Sequence, residues 1–255
     1  MGEPGEGIRR LADLMLDSRH TVVLTGAGVS TESGIPDFRS PGTGLWQKRD
    51  PMKYATVEAL MERPEIFYGD SLPRLLGYTN ARPNRAHYVL ARLEQEGLIR
   101  AVITQNVDNL HFAAGSVNVL EVHGHMRTGR CLGCRREVAM SLLVEKVQAG
   151  QVPPRCDGCG SILRPNVVLF GDPMAECFGE AERLAMQSDL MLVVGSSLMV
   201  APVNYLPAMS RKLAIVNLQE TPYDGRAEVV IREKAGMALD LLWEEICHRR
   251  RPADH

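Results

Sequence analysis

Net charge is nearly absent from this sequence. Its 29 Lys and Arg stand against 31 Asp and Glu, leaving −2 over 255 residues. No field is expected that would draw in nucleic acid or an anionic membrane surface. Long apolar runs are missing too, and no stretch is long enough to span a bilayer. Residues 1–7 are acidic and Gly-rich, unlike a signal peptide with its basic and then apolar stretch. Aromatics are sparse at 5%, and there is no internal repeat or low-complexity tract. These absences point to a soluble, intracellular, cytoplasmic chain, long enough for one large domain with a small appendage. The basic ending His248-Arg249-Arg250-Arg251 reads as a solvated helix end or frayed tail rather than a nucleic-acid site.

One further absence falls where a motif is nearly complete. Residues 21–24 form a β-branched strand that runs into Gly26-Ala27-Gly28-Val29-Ser30, then a Ser/Thr-rich turn of helix, a Gly34-Ile35-Pro36 stop and Asp37-Phe38-Arg39. A glycine turn leading into a helix N-terminus suits a pyrophosphate, through close backbone approach, free N–H groups and the dipole. The dinucleotide fingerprint G-x-G-x-x-G lacks its third glycine, however, and Thr31 stands there. The turn suggests a nucleotide put to an unusual use.

Apolar spacing predicts helices over 8–17, 85–95, 175–187 and 235–247, and strands over 21–24, 99–104, 190–194, 213–217 and 229–231. That alternation predicts an α/β fold with a mostly parallel sheet covered by helices. Two stretches interrupt it. Residues 40–83 are dense in Pro, Gly and short helical pieces, and residues 130–163 carry four paired cysteines and two prolines. Both read as insertions that together form a smaller lobe, with a ligand cleft expected at the junction and at the carboxyl ends of the strands.

Cys131-x-x-Cys134 and Cys156-x-x-Cys159 are separated by 21 residues, close to the spacing of a four-cysteine zinc ribbon. Disulfides are disfavoured by a reducing compartment, and a redox Cys-x-x-Cys by the presence of two matched pairs. Four cysteine ligands leave no open position, so the metal is expected to be structural. Cys177 and Cys247 sit in partly apolar helical stretches and are expected simply to pack. A ribbon alone also serves as a nucleic-acid or protein-docking module; embedded between two parts of a sheet domain, it reads as scaffold.

Polar residues crowd one predicted strand end. Thr104-Gln105-Asn106-Val107-Asp108-Asn109-Leu110-His111 brings amides, a carboxylate and an imidazole to where α/β folds keep their sites. Such groups bind ribose hydroxyls or a carboxamide. A helix cap at Asn106 or Asp108 is the plainer reading, but it explains one residue of the cluster. His123 follows a short strand and precedes Gly124, and an imidazole there suits a general base. The plainer reading of any single histidine, including His125, is a surface or satisfied core residue. His20 and His87, near element starts, read as structural. Residues 165–172 are apolar and extended, fit to be an ordinary strand or an edge that pairs with a peptide. Gly195-Ser196-Ser197 follows a core strand and suits phosphate.

Taken together, Gly26-Ala27-Gly28-Val29-Ser30, Ser33-Gly34-Ile35-Pro36-Asp37-Phe38-Arg39, Thr104-Gln105-Asn106-Val107-Asp108, His123-Gly124, the paired cysteines, Phe170-Gly171, Gly195-Ser196-Ser197 and Val216-Asn217 resemble the sirtuin family, in the family's order and over nearly the whole chain. Sirtuins are NAD-dependent protein lysine deacylases, and the short termini resemble a compact prokaryotic member. The resemblance implies a Rossmann-type NAD-binding domain over 1–39, 83–127 and 165–255. A helical insertion over 40–82 and a zinc-ribbon insertion over 128–164 would form the small domain. It implies that Gly26, Ala27, Gly28 and Ser30 hold the pyrophosphate, with Asp37, Phe38 and Arg39 on a cofactor loop. Gln105, Asn106 and Asp108 would bind the nicotinamide and ribose end, and Gly195, Ser196, Ser197, Asn217 and Leu218 the adenosine side. His123 would be the general base, with Asn106 and Asp108 also catalytic. Val168, Phe170, Gly171, Met199 and Val200 would meet the acyl-lysine substrate, and Cys131, Cys134, Cys156 and Cys159 one structural Zn²⁺.

The implied chemistry is transfer of the acyl group from lysine to the ADP-ribose part of NAD, releasing nicotinamide and O-acyl-ADP-ribose. NAD supplies the electrophile, which agrees with a closed metal site. Acyl-lysine proteins or peptides are the implied partners. Relatives that prefer acidic acyl groups carry a Tyr-x-x-Arg pair in the helical insertion; here Tyr68 stands with Ser71, so uncharged acyl groups are expected. Asp172 stands where many relatives have glutamate. Two other readings compete: mono-ADP-ribosyl transfer by the same cleavage of NAD, and a non-catalytic NAD- or ribbon-binding protein.

Overall fold

The computed structural model describes residues 4–37, 44 and 50–250. Its strands are β1 (Thr21–Thr25), β2 (Ala101–Thr104), β3 (Val119–Glu121), β4 (Gly124–Cys131), β5 (Glu137–Ala139), β6 (Leu163–Val167), β7 (Leu190–Val194), β8 (Lys212–Val216) and β9 (Val229–Ile231). The longer helices are α1 (Pro4–Asp17), α2 (Arg85–Gln95), α3 (Met140–Gln148), α4 (Phe178–Gln187) and α5 (Ala235–Arg250).

Six strands form one sheet in the order β3-β2-β1-β7-β8-β9, every neighbouring pair parallel. β1 and β7 are buried along their whole length. That is why both read as continuous apolar runs rather than as alternation. The two-residue period still sorts their side chains. Val23, Val102, Leu192 and Ala214 pack on one face with Leu11 and Met15 of α1, Leu90 of α2 and Leu239 of α5. Val22, Leu24, Ile103, Met191, Val193 and Ile215 pack on the other with Ala181 and Ala185 of α4. Helices therefore cover both faces, as the alternating pattern predicts.

α2 shows how local chemistry places an element. Asn84 caps it, accepting from the Ala86 N–H at 2.9 Å, while His87 Nδ1 accepts from the Asn84 N–H at 3.3 Å. The result is a capping box with histidine where Glu or Gln is usual. At the other end of the chain α5 runs to Arg250, with His248, Arg249 and Arg250 in its last turn complementing the dipole. Arg249 pairs with Glu245 one turn back at 2.7 Å and with Asp13 of α1.

The two interruptions contribute no strand to the parallel sheet among the described residues. β5-β4-β6 forms a separate antiparallel sheet. Its residues Met126, Cys131, Leu163 and Val167 share one core with Leu143 of α3 and with Leu60, Phe67, Tyr68 and Leu72 from short helices between 57 and 77. Tyr68 seals that core by donating its hydroxyl to the Leu163 carbonyl at 2.5 Å. Residues 163–167 take the strand alternative, as β6, while the loop beyond meets the helical segment: Phe170 N–H donates to Ala55 O at 2.9 Å and Val57 N–H to Phe170 O at 3.0 Å.

Candidate active site

The chain runs outward from β1 to β2 and β3, then returns beside β1 as β7. This reversal opens a crevice at the carboxyl ends of β1 and β7. The turns after these strands touch there. Gly28 N–H donates to Gly195 O at 2.8 Å, and Gly26 N–H to Val194 O at 3.2 Å. A Cβ on Gly28 would stand 2.7 Å from Gly195 Cα, and one on Gly195, whose φ is +62°, would stand 2.3 Å from Val29 N. Glycine is needed at these positions so that two backbone turns can cross. The sequence reading expected the glycines to admit a ligand and the turn to offer free amides; two of those amides are engaged between the turns.

Beneath the crossing lies a polar hub centred on Ser30, which is fully buried. Its hydroxyl donates to Asp108 Oδ2 at 2.7 Å and accepts from Asn106 Nδ2 at 3.0 Å; Asn106 also donates to Gly26 O at 3.2 Å. Since His87 Nδ1 accepts from Asn84, its Nε2–H points at Ser30 Oγ, 3.5 Å away. His111 lies behind, its Nε2 3.0 Å from Thr25 Oγ1, which in turn donates to Thr104 Oγ1 at 2.8 Å. Burial pushes the Asp108 carboxyl above its usual range, with Glu121 adding to this and hydrogen bonds from Leu110 and Ser30 opposing it. Burial lowers His87 to about 4, and burial with the nearby His87 lowers His111 to about 3. Both imidazoles are neutral scaffold. The sequence reading took His87 as structural, and His111 as one of the polar groups crowding the end of β2.

His123 is half-buried on the crevice wall. Its Nδ1 lies 3.1 Å from the Gln105 carbonyl, an oxygen that can only accept, so Nδ1 carries the proton. The lone pair is then on Nε2. Burial lowers its pKa, and the Gln105 bond opposes the shift, so the ring is neutral near pH 7. Gly124 fixes this corner: its φ is +75°, and a Cβ would stand 2.0 Å from Asn166 O. Gln105 reaches the other way, donating Nε2–H to Ser196 Oγ at 2.8 Å.

One cavity of about 450 Å³ joins these groups. Gly26, Ala27, Gly28, Ser30, Asp37, Gln105, Asn106, Asp108, His123, Gly195, Ser196, Ser197, Asn217 and Leu218 all line it. So do Val168, Phe170, Gly171 and Val200. Met199 is outside the lining and 59% exposed, and Phe38 and Arg39 lie outside the described residues. The loop bearing Val168 and Phe170 is held by a buried pair: Arg164, 2% exposed, grips both oxygens of Asp172 at 3.0 and 2.6 Å, and Asp172 also accepts from the Leu169 N–H.

Sequence reasoning missed the cavity's helical wall, where Tyr54, Asp70, Arg74 and Tyr78 stand. It also missed Asn84, which donates to Val29 O at 2.8 Å and Ser33 Oγ at 3.0 Å and so steadies the turn after β1. The Asn-x-x-His spacing was a usable signal for that cap.

The four cysteines form a separate centre. Their Sγ atoms all lie within 4.8 Å of one another, with Cys131 to Cys159 at 3.3 Å and Cys134 to Cys156 at 3.8 Å. Tetrahedral zinc with Zn–S near 2.3 Å puts sulfurs about 3.8 Å apart, so the set fits one closed metal site. Cys131 and Cys156 are buried, and Cys177 and Cys247 stand apart from the cluster, partly buried.

The family model described as "Sir2 family" matches residues 26–202. An NAD-dependent protein deacetylase 2 of Caldanaerobacter subterraneus subsp. tengcongensis is 55% identical, covering 93% of this chain and 95% of that protein. An NAD-dependent protein deacetylase of Caldivirga maquilingensis is 48% identical, covering 96% of each. Among solved structures, a Sir2 with a p53 peptide and NAD+ aligns with a TM-score of 0.86 at 39% identity, covering 93% of this chain and 98% of that one. A Sir2 structure bound to a propionylated peptide aligns with a TM-score of 0.85 at 38% identity, with the same coverage.

Proposed function

The chain belongs to the Sir2 family, and we infer from this premise that it is an NAD-dependent protein lysine deacylase acting on acetyl-lysine and other uncharged acyl groups. One observation carries the reading: Asn106, Asp108 and His123 converge on the crevice between β1 and β7, in a single cavity with the apolar Val168 and Phe170. Bound NAD would supply an activated ribose carbon for the acyl oxygen, with nicotinamide as the leaving group and a water required to free lysine from O-acyl-ADP-ribose.

The residues fit that task. Gly26, Ala27, Gly28 and Ser30 form the turn for the pyrophosphate, flanked by Asp37, Phe38 and Arg39. Ser30 contributes by fixing Asp108 and Asn106, since its hydroxyl proton is committed to Asp108. Gln105, Asn106 and Asp108 take the nicotinamide and ribose end, and Gly195, Ser196, Ser197, Asn217 and Leu218 the adenosine end. His123, neutral and presenting Nε2, is the general base. Val168 and Phe170 wall off the acyl group from water, and Gly171, Met199 and Val200 meet the peptide backbone. Cys131, Cys134, Cys156 and Cys159 hold one structural Zn²⁺ with no position for a water, so proton transfer falls to His123. The uncharged acyl preference fits the buried Tyr68, whose hydroxyl is spent on Leu163, and Arg74, which is paired with Asp70 at 3.1 Å.

We also assign the NAD-binding domain to 1–39, 83–127 and 165–255, and the small domain to 40–82 and 128–164, with β4 and β6 as the strands that cross between them. A cytoplasmic location suits four cysteines grouped for a metal. Among the described residues no helix is long and apolar enough to cross a membrane.

Incubation with an acetyl-lysine peptide, with and without NAD, tests the reading by mass spectrometry. Peptide-dependent nicotinamide release and deacetylated peptide are expected, with deacetylation lowered about 10³-fold in His123→Ala. ADP-ribosylated protein without deacetylation would establish the transferase alternative. Neither product from folded, zinc-loaded protein would leave only the binding role.

A further inference from the structure

We propose that Arg127 is a positioning residue, tying the loop that carries Asn106 and Asp108 to the segment that carries His123. The proposal rests on the deacylase reading. Arg127 belongs to β4, three residues beyond Gly124. Its guanidinium spans both oxygens of Glu121, with Nη1 to Oε1 at 2.7 Å and Nη2 to Oε2 at 2.5 Å. Nη1 donates a further bond to Asn109 Oδ1 at 2.7 Å, and Cζ sits 5.2 Å from the centre of the Phe112 ring.

These partners sit on the two catalytic segments. Glu121 ends β3, two residues before His123, while Asn109 directly follows Asp108. Asn109 adopts a left-handed conformation, φ 67°, that opens the short helix Leu110–Ala113. The same two segments are already joined at another point, by His123 Nδ1 on the Gln105 carbonyl. The Val122 N–H also donates to the Thr104 carbonyl at 3.1 Å, and Arg127 adds a tether that lies beyond Asp108. An ion pair serving stability alone would be satisfied by Glu121, and the bond to Asn109 is the part that such a role leaves unexplained. Glu121 is only 9% exposed, so removing Arg127 leaves a largely buried carboxyl without its partner.

His123 acts on the acyl-transfer side of the reaction, whereas Asn106 and Asp108 hold the nicotinamide end. Loosening the strap is therefore expected to hurt the two half-reactions unequally. The experiment compares Arg127→Met, Arg127→Lys and the apolar pair Glu121→Met/Arg127→Met with the wild-type chain. Peptide-dependent exchange of labelled nicotinamide, deacetylation, Tm and calorimetric binding of ADP-ribose are measured for each. In Arg127→Met, deacetylation is expected to fall on the order of tenfold, with exchange falling less, and ADP-ribose to bind several-fold more weakly. Arg127→Lys should recover part of both. The apolar pair, which removes the buried charge, should return Tm to within about 2 °C of wild type while deacetylation stays low. Recovery of deacetylation together with Tm in the apolar pair would overturn the proposal. So would a parallel loss of exchange and deacetylation with unchanged ADP-ribose binding. Failure of the deacylase reading shows differently, as a wild-type chain without turnover, and the calorimetric arm still reads the strap.

Discussion

His87 and His111 stand with ring centroids 4.9 Å apart under the crevice, and both are buried. Their folded pKa values, about 4 and about 3, lie below the ordinary 6.5. As pH falls through 6.5 the unfolded chain takes up protons that the folded chain refuses. Stability is therefore intact above 6.5 and is lost progressively down towards pH 4, at up to about 1.4 kcal/mol per pH unit for each histidine. Burial adds the same sign at His123. Urea unfolding at pH 7.5 and 5.0 should show the loss, and His111→Gln should lessen it relative to wild type, with any acid release of metal common to both proteins. An equal loss in the variant would mean that His111 titrates normally in the fold. The residues themselves were legible in part. Asn106 and Asp108 were singled out because polar groups crowd one strand end, and His123 through the family resemblance. The buried role of Ser30 was not, because the small Oγ through which it joins Asp108 to Asn106 leaves no spacing signal.

Elements differ in how clearly the sequence marks them. β1 and β7 stand out because strands buried on both faces need uninterrupted apolar runs. β4 does not: Gly124-His125-Met126-Arg127-Thr128-Gly129-Arg130-Cys131 has few β formers, and its pairing with β6 is specified by a partner distant in sequence. β6 leads into the loop that bears Val168 and Phe170, so the Arg164–Asp172 pair is where that element can be tested. Arg164→Met leaves Asp172, 10% exposed, without its guanidinium, and a loss of about 3 kcal/mol is expected in urea unfolding. Asp172→Asn added to that variant keeps an acceptor for the Leu169 N–H while removing the charge, and should recover at least half. Because Val168 and Phe170 ride on this loop, the peptide KM is expected to rise in the single variant while the NAD KM changes little. A variant as stable as wild type would show that water reaches Asp172 freely.

At the scale of the whole molecule, two pieces of chain far apart in sequence share one core with the metal site. Cys131 and Cys156 are members of the cluster that also holds Leu60, Phe67, Tyr68 and Leu72, whereas the parallel sheet packs its faces with other residues. Metal loss should therefore loosen both insertions together and spare the sheet. Four thiolates brought within 4.8 Å repel one another without a cation. Hydrogen exchange after removal of the metal by a chelator is the direct measurement. Protection is expected to fall in 126–169 and also in 57–77, with 21–25 and 190–194 keeping theirs. Deacetylation should be lost in the same sample, because Val168 and Phe170 follow β6, while ADP-ribose should still bind to the turns after β1 and β7. Readdition of Zn²⁺ should restore both signals. Loss of protection confined to the cysteine segment would mean that the helical insertion holds itself together through Phe67, Tyr68 and Leu72 alone. Loss extending into β1 and β7 would mean that the sheet depends on the ribbon, against the separation of the cores.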